Sequence, residues 1–180
     1  MQPLAQEPAD QESRSRIVVI MNRVGVFFEA SWALIITALL GLICLAAFGA
    51  PILSYAGLDV IAKPLFFTLS RLCGQIPSHS FYIAGHQVGL CVHCLAIYSA
   101  MFAGGLLFLL SKKRLFALPW WAFVLLALPL AYDGFSQLFG VRESTWEIRL
   151  LTGALFGLGA AWFALPLVQK GLRATIPAAA

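Results

Sequence analysis

LCVHCLAIYSAMFAGGLLFLL, residues 90–110, contains no Asp, Glu, Lys or Arg. A helix over it rises 1.5 Å per residue and reaches about 30 Å, the thickness of a bilayer's hydrocarbon core. Working outward, three further apolar stretches follow: Ala30–Tyr55, Leu115–Tyr132 with Pro119 and Pro129, and Ile148–Val168, in which Arg149 near the start is the one charge. The whole chain agrees, because 61% of its 180 residues are hydrophobic and 11% charged, at a mean hydropathy of +0.87. So few charged side chains do not cover a water-facing surface, which excludes a soluble globule. The pattern predicts an all-α integral membrane bundle of four transmembrane helices. A cleaved leader fits the first run poorly. Ala47-Phe48-Gly49-Ala50 has the small residues of a cleavage site, but the apolar run exceeds the roughly 7–15 residues of a signal h-region, and Pro51 follows.

Four spans put both termini on one side, and the positive-inside rule selects the cytoplasm. Lys112, Lys113 and Arg114 crowd the short second connection, and Arg14, Arg16, Arg23, Lys170 and Arg173 join them. On the other side Lys63, Arg71, Arg142 and Arg149 are balanced by Asp59, Asp133, Glu143 and Glu147. The net charge of +4 therefore reads as a topology signal rather than a nucleic-acid surface, since no basic stripe with interleaved aromatics occurs. The expected organisation is a cytoplasmic N-terminal segment over 1–29, its apolar stretch beginning near Ile17 and interrupted at Asn22–Arg23. A single membrane domain over 30–168 follows, with extracytoplasmic loops at 56–89 and 133–147, then a cytoplasmic tail over 169–180. The long loop holds Leu65–Leu72, a short helix for the interface. Trp120, Trp121 and Trp146 suit interfacial belts, which Trp32 and Trp162 do not. Ala96, Ala100 and Gly104 on span two, and Gly153, Gly157 and Ala161 on span four, recur every four residues and mark helix-contact faces. The short connections predict antiparallel neighbours.

Three of the four cysteines and all three histidines fall within Cys73–Cys94. Cys91 and Cys94 sit three apart in Cys91-Val92-His93-Cys94, so their sulfurs converge on one metal or on each other. In the metal reading Cys73, Cys91 and Cys94 are thiolates and His86 is the fourth ligand of a zinc or other transition metal, with His79 and His93 as alternative ligands. In the redox reading Cys91 and Cys94 form a dithiol whose first sulfur has its thiolate favoured by the helix dipole, with Cys73 as resolving thiol. The third reading is a structural disulfide without cofactor, stapling the loop to span two. Cys44, midway along span one, reads as a small apolar filler.

A second polar group faces the same side. Asp133-Gly134 reads as a turn, with Glu143 and Glu147 favouring the start of span four and Arg142 and Arg149 pairing with them. Alternatively Asp133, Gln137, Arg142 and Arg149 point into the bundle as a polar pocket, since ionisable groups at membrane depth are costly without a purpose. Arg149 is the best candidate for an inward-facing charge.

Two blocks resemble a family of small prokaryotic multi-pass membrane proteins known by a domain-of-unknown-function label. One is Cys73-x-Gln75-x-Pro77-x-x-Ser80-Phe81, Gly85-x-Gln87 and Cys91-x-x-Cys94-x-x-Ile97-Tyr98. The other is Asp133-Gly134-x-x-Gln137, Gly140-x-Arg142-x-Ser144 and Arg149-x-x-Thr152-Gly153. In the family's pattern a histidine follows the first cysteine and arginines precede the serine and the last cysteine, where this chain has Gly74, His79 and His93. The resemblance implies a protein of the prokaryotic cytoplasmic (inner) membrane with one clustered site and no assigned activity. Cys91-x-x-Cys94-x-x-x-Tyr98 is also similar to the bacterial oxidoreductase that passes electrons from periplasmic thiols to quinone. That family's second cysteine pair has no counterpart in 133–147. The expected partners are the bilayer and, in a further reading as an accessory or scaffold subunit of a larger complex that rests on the packing faces of spans two and four, other membrane subunits, with no nucleic acid. Transport, nucleotide hydrolysis and metalloprotease chemistry have no supporting motif.

Overall fold

Asn22 and Arg23 do not interrupt the first helix. In the computed structural model, which describes residues 8–175, α1 runs unbroken over Pro8–Tyr55. The outermost parts of the two terminal segments, residues 1–7 and 176–180, lie outside the described residues. A lone Asn-Arg pair costs a helix only tenths of a kcal/mol in propensity, too little to stop a long apolar run. The apolar part, Val19–Tyr55, has 37 residues. That is about 55 Å of helix, nearly twice the hydrocarbon thickness, so part of α1 extends beyond the bilayer core.

Gly57 ends α1 with φ +77, and Leu58 N–H donates to Leu53 O while Gly57 N–H donates to Ser54 O. This pair of bonds is the Schellman stop, which needs the left-handed glycine. Helix α2, Asp59–Leu69, follows at once. It begins six residues before the expected Leu65 because Asp59 favours a helix N-terminus and pairs with Lys63 at 3.3 Å. After a 3-10 turn at Pro77–His79 comes a feature the sequence reading missed, an antiparallel hairpin of β1 (Ser80–Ile83) and β2 (His86–Cys91). Its two-residue turn, Ala84-Gly85, has φ +49 and +82, matching the right-handed twist of paired strands. Strand β2 leads directly into α3, Val92–Leu110, with Cys91 at the N-cap.

Helices α4 (Trp120–Leu138) and α5 (Trp146–Thr175) complete the set of four long, apolar, membrane-crossing helices with α1 and α3. Pro119 caps α4 rather than lying inside it. The helix continues past Tyr132, so Asp133-Gly134 is helical and the turn reading of that pair is wrong. The stop is Gly140, φ +65, with Val141 N–H donating to Ser136 O at 2.9 Å.

The packing order also departs from expectation. Helix α3 packs chiefly on α5 and α1, and α4 packs on α5 rather than on its sequence neighbour α3. The small-residue stripes explain this. A Cβ added to Gly153 would lie 2.8 Å from Ala96 Cβ, and one on Gly104 would lie 2.6 Å from Ala161 Cβ. The pairs ascend together along both helices, so α3 and α5 run parallel in tight contact. At one end of the bundle Glu29, Lys113, Gln169 and Arg173 meet: Lys113 Nζ donates to Glu29 O at 2.6 Å, and Gln169 to Glu29 Oε1 at 2.7 Å. There Trp32 is buried and donates to Gln169 Oε1 at 3.0 Å, an inside role for a tryptophan that suits no belt. The hairpin, α2 and the starts of α3 and α5 occupy the other end.

Candidate metal centre and the adjoining polar cluster

Cys73 lies on the loop after α2, Cys91 at the end of β2 and Cys94 on the first turn of α3, and their three Sγ atoms lie within 4.8 Å of one another. Cys73 and Cys91 sulfurs stand 3.1 Å apart. Two backbone amides also point at Cys73 Sγ, that of Cys91 at 3.2 Å and that of Gln75 at 3.4 Å. Gln75 reaches its position with φ +47, a left-handed conformation rare for a non-glycine residue. The Cys91 and Cys94 thiols, with those amides, pull the Cys73 thiol strongly towards thiolate against the opposing effect of burial. The Cys73 sulfur in turn pushes Cys91 up. Three sulfurs this close could hold a metal ion.

The support around the sulfurs is specific. Leu69, Val88, Leu90 and Leu95 form a buried apolar wall with Ala47 of α1. Gln75 Nε2 donates to Phe66 O and Gly89 O, both at 2.8 Å, tying the Cys73 loop to α2 and β2. Gln87 Nε2 donates to Gln75 O at 2.8 Å and to Ser80 Oγ at 2.9 Å. These two glutamines, noted in the sequence only as motif letters, brace the loop that carries the first sulfur. Cys44 lies elsewhere, its Sγ 3.6 Å from Ser99 Oγ.

None of the histidines joins the sulfurs. His86 stands exposed at the turn end of β2, five residues before Cys91, roughly 17 Å away along an extended strand. The expectation of His86 as fourth ligand is corrected by that hairpin, which the sequence reading had taken as plain loop. His79 sits in the 3-10 turn. There burial, and secondly the charge of Arg149, hold its imidazole below the usual range, so it is neutral at pH 7. His93 points to α4 instead.

The destination of His93 is the polar cluster. Asp133 is 1% exposed and accepts from His93 Nε2 at 2.8 Å, Gln137 Nε2 at 3.0 Å and Arg142 Nη2 at 3.1 Å. Arg149, 5% exposed, donates through Nη2 to Gln137 Oε1 at 3.0 Å. The structure thus brings Asp133, Gln137, Arg142 and Arg149 together as one hydrogen-bonded group spanning α4, the α4–α5 connection and α5, with Asp133 and Arg149 buried and Arg142 exposed, and it adds His93. The signal for His93 was its place one residue before Cys94, which turns it towards a different neighbour from the sulfurs. The centre and the cluster share the first turn of α3.

The comparisons with known proteins cover this region. The chain is 34% identical over 130 residues, 68% of its own length and 83% of the relative's, to a Methanocaldococcus jannaschii protein named "Uncharacterized protein MJ1492". A Methanothermobacter thermautotrophicus protein, also named as uncharacterized, is 34% identical over 90 residues, covering 50% of this chain and 81% of that one. No solved structure matches. A family model described as "Predicted membrane protein (DUF2085)" matches residues 73–163, which begin at the first clustered cysteine and include Asp133 and Arg149. With half of the chain matched, and two thirds of it shared with an archaeal relative, the protein belongs to the DUF2085 family of predicted membrane proteins.

Proposed function

We propose that this membrane protein binds one transition-metal ion, zinc by preference, on Cys73, Cys91 and Cys94. The observation that carries the reading is the convergence of three sulfurs from separate elements within 4.8 Å, with two amides directed at one of them. In a tetrahedral zinc site with Zn–S bonds of about 2.3 Å, sulfurs stand about 3.8 Å apart, a small adjustment from the present geometry. With no histidine at hand, the fourth position falls to water or an external ligand, as in zinc sites that do chemistry. The adjoining cluster orients the site, because Asp133 holds the ring of His93, the residue that precedes Cys94 on the first turn of α3.

The proposed setting is the prokaryotic cytoplasmic membrane, with the centre outside and the segments 1–29 and 169–180 inside. In support, Lys112, Lys113 and Arg114 lie at the end away from the cysteines, where Lys113 and Arg173 meet Glu29. A second reading, thiol–disulfide exchange with quinone as electron acceptor, draws on the 3.1 Å separation of Cys73 and Cys91.

Metal analysis of detergent-purified protein, with thiols counted before and after reduction, decides between the two. The expected result is about one zinc per chain, abolished in Cys91→Ser, with all four cysteines reduced. Protein without metal but with a Cys73–Cys91 disulfide would overturn the metal reading in favour of exchange.

A further inference from the structure

Arg149 has a second side. Among the described residues it is the only basic side chain that is buried, and it forms no ion pair. Its bond to Gln137 is to a neutral amide, and its Nε has no hydrogen-bond partner at all. A guanidinium out of water needs an anion or a full set of acceptors, and here it has neither. The nearby carboxylate, Asp133, is already occupied by His93, Gln137 and Arg142.

Arg149 forms part of the wall of a polar cavity of about 330 Å³, between the 3-10 turn and the start of α5. Ser78, His79, Ser80 and Ser144 supply further polar lining, and Trp146 one face. Trp146 is also the first residue of α5, a 30-residue helix whose opening amides lack intrahelical partners and carry the positive end of its dipole. Both the guanidinium and this helix end favour an anion in the space. The only carboxylate in the lining is Glu143, which is exposed and screened by water.

We infer that this cavity is a binding site for a phosphate-type oxyanion, held by Arg149 and by the N-terminus of α5. Such a group supplies the anionic partner that the Arg149 guanidinium lacks, a pairing that guanidinium makes readily with phosphate. The site lies at the end of the bundle where α1 and α4 end and α3 and α5 begin, so free phosphate and the headgroup of an anionic phospholipid both present the required chemistry. It uses none of the three sulfurs, and its success or failure is independent of the metal reading.

The test uses full-length protein in neutral detergent, titrated in one arm with inorganic phosphate and in the other with phosphatidylglycerol, with binding followed by native mass spectrometry. Saturable one-site binding is expected in at least one arm, weakened tenfold or more by Arg149→Gln. His79→Glu, at a half-buried position on the cavity wall, places a negative charge at the site while keeping Arg149, and is expected to weaken binding as much without loss of zinc. Binding in the phosphate arm identifies a soluble oxyanion as a ligand, and binding in the lipid arm alone identifies a headgroup. No saturable binding in either arm, or equal binding by the parent and a folded His79→Glu variant, would overturn the inference.

Discussion

Asp133→Ala is expected to destabilise the protein by about 3–5 kcal/mol, the usual cost of removing one partner from a buried ionic network. Asp133 is 1% exposed, and its carboxylate gathers His93 from α3 and Arg142 from the α4–α5 connection. Helix α4 depends on it unusually, since only 11% of its most apolar window is buried and its main contact is with α5 alone. Removal of the carboxylate leaves the His93 ring without its partner, and it leaves Gln137, through which Arg149 is held, with only the main-chain oxygen of residue 133. Arg142→Ala should cost much less, about 1 kcal/mol or under, because that side chain is 40% exposed and water replaces its partner. Unfolding by SDS in mixed micelles, followed by tryptophan fluorescence, measures both. A cost below 1 kcal/mol for Asp133→Ala would show that the cluster is not what joins α4 to the rest. Average hydrogen bonds between membrane helices contribute only about 0.6 kcal/mol, so the two outcomes are well separated.

The sequence carried the architecture further than the site. Long apolar runs identify membrane helices because a helix satisfies its own backbone in hydrocarbon, and all four predicted spans correspond to helices. Boundaries slipped where local chemistry competes with hydrophobicity. Asp133-Gly134 has turn composition, yet the cluster holds the aspartate inside the helix, and the stop waits for Gly140 with its positive φ. The hairpin was legible in principle, since Phe81-Tyr82-Ile83 and Gln87-Val88 flank an Ala-Gly pair, but a two-residue turn without Asn or Asp is a weak signal. Missing it misplaced His86, because only the strand carries that ring away from the sulfurs. The grouping of the cysteines themselves was visible as a cluster in sequence. The detailed fit was not, since Gln75 and Gln87 act through backbone atoms that no spacing rule identifies.

Gly157→Leu should be about as damaging as the loss of Asp133. A Cβ at Gly157 would meet Ala100 Cβ at 2.9 Å and would collide with the carbonyl oxygen of Ile97, which is helix backbone and has nowhere to go. A leucine adds three more carbons to that contact, so α3 and α5 must separate. The damage would not stay local. Gly153, one turn nearer the site, has its missing Cβ 2.8 Å from the carbonyl of His93, so the same separation moves the first turn of α3 that presents His93 to Asp133 and Cys94 to the other sulfurs. Overpacking alone costs about 1–3 kcal/mol, and failure of backbone to yield places this case at or above the upper end. Gly134→Ala is the matched control, because a Cβ there meets nothing within 4 Å and an alanine suits a helix better than glycine by about 1 kcal/mol. The expected pattern is a large loss of stability and of bound zinc in Gly157→Leu, with both retained in Gly134→Ala. If Gly157→Leu kept its stability and its metal, the parallel α3–α5 contact would not be what assembles the cysteine site, and its geometry would have to come from the hairpin and α2 alone.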